Sequence, residues 1–324
     1  MRSTIFFCFV QCTTLLANAE VTYLFSHGLG DSHKQAYAYT QSSIHKKPYI
    51  IQDNCVTFDY LDVGKGLFRL NRLQTSMAQD NEIKRLAEVF YSSCNTGQVI
   101  LVGVSRGASA IINFMGFCDP HNVSALVLES PFDCIDSIAQ KMIHETRWGC
   151  VPGIRSIFHN LFSFVFCKYN PHGVRPIDTA THIRKDLPIL IICCTNDKLV
   201  PVWSSINLYI QLRESGHEHA YLLIMPEGVH GRLIRDPDYQ YWYQNVTHAF
   251  YKKYGLPHNP EFAKSGTFLF ETLCQPPVQN LQSFYPHYLK KYPNHTITWE
   301  KSHSLVHKKM CCMHQKKRPN KSIF

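Results

Sequence analysis

Six short segments of this chain are apolar almost from end to end: Val21–Ser26, Val56–Tyr60, Val99–Val104, Ser124–Leu128, Leu187–Cys194 and Tyr221–Met225. A strand solvated on one face alternates apolar with polar residues, whereas a strand covered on both faces does not. Helical patterns intervene or follow: His33 to Ile44, Met77 to Cys94, the stretch through Ile111, Ile112, Phe114 and Met115, Ser204 to Ser215, and Asp238 to Tyr254. This alternation predicts an α/β fold, a mainly parallel sheet flanked by helices on both faces. Ligands of such sheets bind beyond the carboxyl ends of the strands. The residues just after each strand are therefore the ones to read for chemistry.

Val99–Val104 runs without a gap into Gly103-Val104-Ser105-Arg106-Gly107 and then into a helix. G-x-S-x-G between strand and helix is a nucleophile elbow, with the serine hydroxyl held out on a tight turn. Close backbone approach explains Gly103 and Gly107. A serine attacks only when a base takes its proton, and the base needs an orienting carboxylate. Asp197 follows Leu187–Cys194 in the loop Thr195-Asn196-Asp197-Lys198-Leu199-Val200-Pro201, and His230 follows Tyr221–Met225 in Gly228-Val229-His230-Gly231. The candidate triad is Ser105, Asp197 and His230, with Glu129 and Asp133 as rival acids. The oxyanion of acyl transfer needs two backbone N–H groups. Arg106, next to the serine, supplies one. His27-Gly28-Leu29-Gly30, after the first strand, supplies the other through Leu29, with Gly30 second. His27 is read as holding this loop and Asp31 as a turn or cap residue.

Between Phe132 and Lys185 the strand pattern stops and helical spacing takes over, with Trp148, Phe158, Phe162, Phe164 and Phe166 among its apolar residues. The division expected is a leader at 1–19, a core at 20–131 and 186–254, a helical cap insertion at 132–185, and an extension at 255–324 with a basic, flexible tail. Arg2, the apolar Ile5–Val10 and Ala17-Asn18-Ala19 give the leader its secretory form. This places the mature chain in a secreted, periplasmic or lumenal setting, or in the cytoplasm if the leader stays uncleaved. The net charge of +9 is concentrated in the tail, where Phe284–Phe324 holds nine Lys/Arg against Glu300 alone. That tail suits non-specific contact with anionic surfaces and signals no specific nucleic-acid partner. His303, His307 and Cys311 recur every four residues, but a solvated tail is the better reading and no metal or cofactor is expected. The chain has thirteen cysteines, of which eleven follow Ala19, so they cannot all pair internally. Cys150 and Cys167 could bridge in an oxidising compartment. Adjacent Cys193 and Cys194 should face opposite sides of a strand.

Taken together, the four elements His27-Gly28-Leu29-Gly30-Asp31, Gly103–Gly107, Thr195–Pro201 and Gly228–Gly231 resemble the α/β-hydrolases over residues 21 to about 254. The first is similar to the oxyanion loop of carboxylesterases and acyl-protein thioesterases. The last two, with Pro176-Ile177-Asp178 and Leu187-Pro188 ahead of them, resemble prolyl-oligopeptidase-type hydrolases. The resemblance implies a serine hydrolase without cofactor or metal, cleaving an ester, thioester or amide through an acyl-enzyme; an ester or thioester is the expectation, and the apolar cap favours a small-molecule or lipid-like acyl substrate. The alternatives are a serine peptidase and a non-catalytic binding protein on the same fold. Two departures stand out: Cys194 where many relatives have glycine, and a sheet that begins at the oxyanion-loop strand.

Overall fold

The computed structural model describes residues 21–41, 48–52, 54–63, 72–94, 96–145 and 153–276. The leader at 1–19, Cys150 and the tail with His303, His307 and Cys311 lie outside the described residues. In chain order the elements are β1 (Val21–Ser26), β2 (Cys55–Thr57), α1 (Asp80–Ser93), β3 (Gln98–Val104), α2 (Arg106–Cys118), β4 (Val123–Glu129), α3 (Ile135–Glu145), α4 (Ile154–Val165), the single turn α5 (Pro176–Thr179), β5 (Ile189–Cys194), α6 (Val202–Glu214), β6 (Ala220–Met225), α7 (Gln240–Lys253) and α8 (Pro260–Leu273). The six strands form one sheet in the order β2-β1-β3-β4-β5-β6. Every pairing is parallel. The chain moves outward from β1 to β2, then returns past β1 to β3 and continues the other way. The order reverses between β1 and β3, which is where open α/β sheets place their ligands.

Both faces of the sheet are buried, as the apolar runs require. Val99, Leu101, Leu126, Leu128, Ile189, Ile191 and Cys193 pack with residues of α1, α2 and α6. Ile100, Val102, Val104, Val127, Leu190, Ile192 and Cys194 pack with α7 and α8. Cys193 and Cys194 thus fall on opposite faces, buried and unbonded. Between residues 132 and 185 the described elements are helical, α3, α4 and α5 among them, and Phe162, partly buried, meets Phe158, Phe166 and Tyr169. Ile157, Leu161 and Phe164 remain exposed on the outside of α4.

Several boundaries differ from the sequence expectation. The helix predicted from Met77 starts at Asp80, because Met77 and Ala78 are left-handed, at φ 55° and 70°. Asp80 and Glu82 then occupy its first turn, where the helix dipole favours acids. The helix expected from His33 to Ile44 is a short 3-10 helix, His33–Ala38. Beyond it, Tyr39 O accepts both Ile50 N–H and Ile51 N–H, which draws the chain into a parallel bridge. The strand expected to reach Tyr60 ends at Thr57, and Phe58 and Tyr60 enter the core from a loop. The pattern also breaks off at Gly255 in the sequence, yet α8 follows and packs closely on α7. A Cβ on Gly266 would stand 2.0 Å from Asn245 O, so only glycine permits this helix contact. Among the described residues no helix is long and apolar enough to cross a membrane.

Candidate active site

The elbow forms because β3 and α2 are joined by a single residue. Ser105 adopts φ 54°, ψ −119°, a conformation that costs a non-glycine residue about 1–3 kcal/mol. Its N–H is anchored on Glu129 O at 2.7 Å, which continues the β3–β4 ladder. The glycines on either side are obligatory for space. A Cβ on Gly107 would lie 2.1 Å from Ser26 O, and one on Gly103 would lie 2.7 Å from the Ala108 Cα. Gly107 therefore lets α2 press directly against the end of β1.

Ser105, Asp197 and His230 come together from the ends of β3, β5 and β6. His230 Nε2 is 2.8 Å from Ser105 Oγ, and His230 Nδ1 is 2.7 Å from Asp197 Oδ2. The other carboxylate oxygen of Asp197 accepts Leu199 N–H at 2.8 Å and Val200 N–H at 3.0 Å. Asp197 is buried, so its charge is held by directed hydrogen bonds rather than by water. With Nδ1–H donated to Asp197, the Nε2 lone pair faces the serine hydroxyl. This is the tautomer a general base needs. Asn196 Oδ1 accepts Gly228 N–H at 3.0 Å and ties the acid loop to the histidine loop. From α3, Lys141 Nζ donates to Asp197 O.

The rival acids are placed elsewhere. Glu129 accepts Tyr39 Oη–H at 2.7 Å and Leu233 N–H at 3.1 Å, and its burial raises its carboxyl above the ordinary range. Asp133 receives Ser204 Oγ–H and Asn207 Nδ2–H. Neither is hydrogen-bonded to His230.

The loop after β1, expected to supply an oxyanion donor, lies beside the serine: a Cβ on Gly28 would be 3.6 Å from Ser105 Cβ. Gly28 N–H is already donated to Gln35 Oε1 at 2.8 Å. The amides of Leu29 and Arg106 have no acceptor among the described residues, and that of Arg106 is one of the orphan donors at the start of α2. His27 is buried with both ring nitrogens engaged, Nδ1 at 2.8 Å from Gly28 O and Nε2 accepting Tyr60 N–H at 3.2 Å. Burial, helped by the Arg106 charge, lowers its pKa to about 4. His27 is thus a neutral brace, as read from the sequence.

The sequence does not reveal the surroundings of the Arg106 side chain, which is fully buried behind the elbow. It pairs with Asp62 and with Glu82, the latter at 3.4 Å, and lies over the Tyr60 ring at 4.6 Å. Burial raises the Glu82 carboxyl. Among the described residues no cluster of three His, Cys, Asp or Glu side chains is arranged to hold a metal ion.

Residues 163–256, which carry Asp197 and His230 on the strand ends just described, match the model of the prolyl oligopeptidase family. Ser105 and the loop after β1 stand on the same parallel sheet. The chain has the fold of the α/β-hydrolases. Comparison of this chain with curated proteins gives no match. Among solved structures it is similar to the Pyrococcus furiosus esterase Pf2001, at 18% identity and a TM-score of 0.48 over 72% of this chain and 83% of that one. It is similar to the Pyrococcus horikoshii acylaminoacyl peptidase at 14% identity and a TM-score of 0.48, over 72% of this chain and 37% of that one. For the Paleococcus ferrophilus monoacylglycerol lipase the values are 14% and 0.45, over 71% and 93%.

Proposed function

We propose that this α/β-hydrolase is a serine hydrolase that cleaves an ester or thioester through an acyl-enzyme. The observation that carries the reading is the unbroken relay from Asp197 Oδ2 through His230 to Ser105 Oγ, with contacts of 2.7 and 2.8 Å. His230 takes the Ser105 proton as Oγ attacks the carbonyl carbon. The tetrahedral oxyanion faces the Leu29 and Arg106 N–H groups. His230 then protonates the leaving alcohol or thiol, and Ser105 keeps the acyl group. Water, deprotonated by His230, attacks the acyl-enzyme and releases the acid. Leu199 and Val229 support a hydrophobic acyl group. Leu199 follows Asp197 by two residues, Val229 directly precedes His230, and the two are 61% and 66% exposed.

A series of p-nitrophenyl esters of increasing acyl length tests the substrate class. Turnover should rise from acetate to medium-chain esters, and turnover of peptide anilides alone would contradict the ester reading. The match over residues 163–256 favours a peptidase as the second reading, and the same assay separates the two.

A further inference from the structure

Gln35 stands between the two loops that carry the proposed chemistry. Its Oε1 accepts Gly28 N–H at 2.8 Å, and its Nε2 donates to Gly231 O at 3.2 Å. Gly28 precedes Leu29, the oxyanion donor, and Gly231 follows His230. A primary amide can do both at once because it carries an acceptor and a donor on one rigid plane, whereas a carboxylate only accepts and a thioether has no donor and only a weak acceptor. Gln35 also occupies Gly28 N–H and leaves the amides of Leu29 and Gly30, the two candidates in the loop, to other acceptors. Tyr39, one turn further on, backs the same point. Its hydroxyl lies 3.3 Å from Gly231 O and 2.7 Å from Glu129 Oε2. Glu129 Oε1 in turn accepts Leu233 N–H at 3.1 Å, three residues beyond His230. Tyr39 and Glu129 are both fully buried, so this backing cannot be replaced by bulk water.

We propose that Gln35 is a positioning residue for the hydrolysis, a strut that fixes the oxyanion loop relative to His230 across Ser105, with Tyr39 and Glu129 as its rigid support. The inference rests on the serine-hydrolase reading. It assigns Gln35 a share in transition-state geometry and none in substrate contact, so its loss should appear in kcat and spare KM.

The test uses the full chain with Gln35→Met, which keeps the side-chain length and removes both hydrogen bonds, and Gln35→Glu, which removes the donation to Gly231. Each is assayed on the best p-nitrophenyl ester beside Ser105→Ala, with thermal melts as a control. In both Gln35 variants kcat should fall roughly tenfold or more while KM stays within about twofold, the scale of one or two lost hydrogen bonds at a site where geometry matters. A folded Gln35→Met variant with wild-type kcat overturns the strut, as does an effect confined to KM. If the Gln35 variants do not fold, Tyr39→Phe carries the test. It removes only a hydroxyl, should lower kcat in the same way, and overturns the strut if kcat is unchanged. Activity persisting in Ser105→Ala overturns the serine reading and the strut with it. An inactive Ser105→Ala with a fully active Gln35→Met overturns the strut alone.

Discussion

Replacing Asp197 by asparagine should abolish the base without disturbing the fold. In the wild type one carboxylate oxygen accepts two backbone amides, Leu199 N–H and Val200 N–H, and the other accepts from His230 Nδ1 at 2.7 Å. An asparagine can satisfy the two amides only with its carbonyl oxygen. Its NH2 group must then face His230 Nδ1, which has to give up its proton and become the acceptor. The imidazole proton moves to Nε2 and points at Ser105 Oγ, 2.8 Å away. His230 now donates to the serine instead of accepting from it. The same exchange in the serine-protease triad lowers kcat by about 10⁴, or about 5 kcal/mol of barrier. A loss of that order is expected for Asp197→Asn in ester hydrolysis, with the melting temperature changed by no more than a few degrees because the loop keeps its two backbone hydrogen bonds. Initial rates across substrate concentration, with a melt on the same sample, make the measurement. A loss smaller than about tenfold would refute the reasoning. So would a larger loss from Glu129→Gln than from Asp197→Asn in equally folded proteins.

Three further outcomes follow from the geometry. His27 is buried with a folded-state pKa of about 4 against an ordinary 6.5, so the unfolded chain binds the extra proton first as pH falls. Stability should be fully present above about pH 6.5 and decline from there toward pH 4, by about 2 kcal/mol from this residue between pH 7.5 and 5. Urea unfolding at the two values checks it, and equal stability contradicts it. Gly266→Ala forces a Cβ against Asn245 O, which would be 2.0 Å away, and should cost roughly 2–4 kcal/mol by pushing α8 off α7. A neutral result in urea unfolding would deny that contact. Val229→Asp replaces an exposed apolar side chain next to His230 with a charge and should raise KM for medium-chain esters well above its effect on acetate. An equal effect on both would remove Val229 from acyl recognition.

The candidate triad was legible in the sequence because each member stands in a loop directly after an apolar run, and the parallel sheet brings those strand ends together. Ser105 was further marked by glycines whose role is steric, as Gly107 against Ser26 O shows. Helix α8 leaves little trace in the sequence, because it buries only a narrow strip, Ala263, Gly266 and Phe270, so its apolar periodicity is thin. A signal was nonetheless present: Asn259 caps the helix by accepting Glu261 N–H and Phe262 N–H, and Pro260 occupies the first helical position. The burial of Arg106 could not be foreseen. Arginine is ordinarily a surface residue, and its partners Asp62 and Glu82 lie far upstream on other elements. Gln35 and Tyr39 carry no motif. Their role exists only once β1 and β6 have delivered Gly28 and Gly231 to the same place.

The central claim is that Ser105 is a nucleophile activated by His230. It is tested most directly by treating the folded protein with a fluorophosphonate and locating the adduct by peptide mass spectrometry. The account predicts a single stoichiometric adduct on Ser105, absent from Ser105→Ala and strongly slowed in His230→Ala. Equal labelling of wild type and Ser105→Ala, or no labelling of the folded wild type, would contradict it.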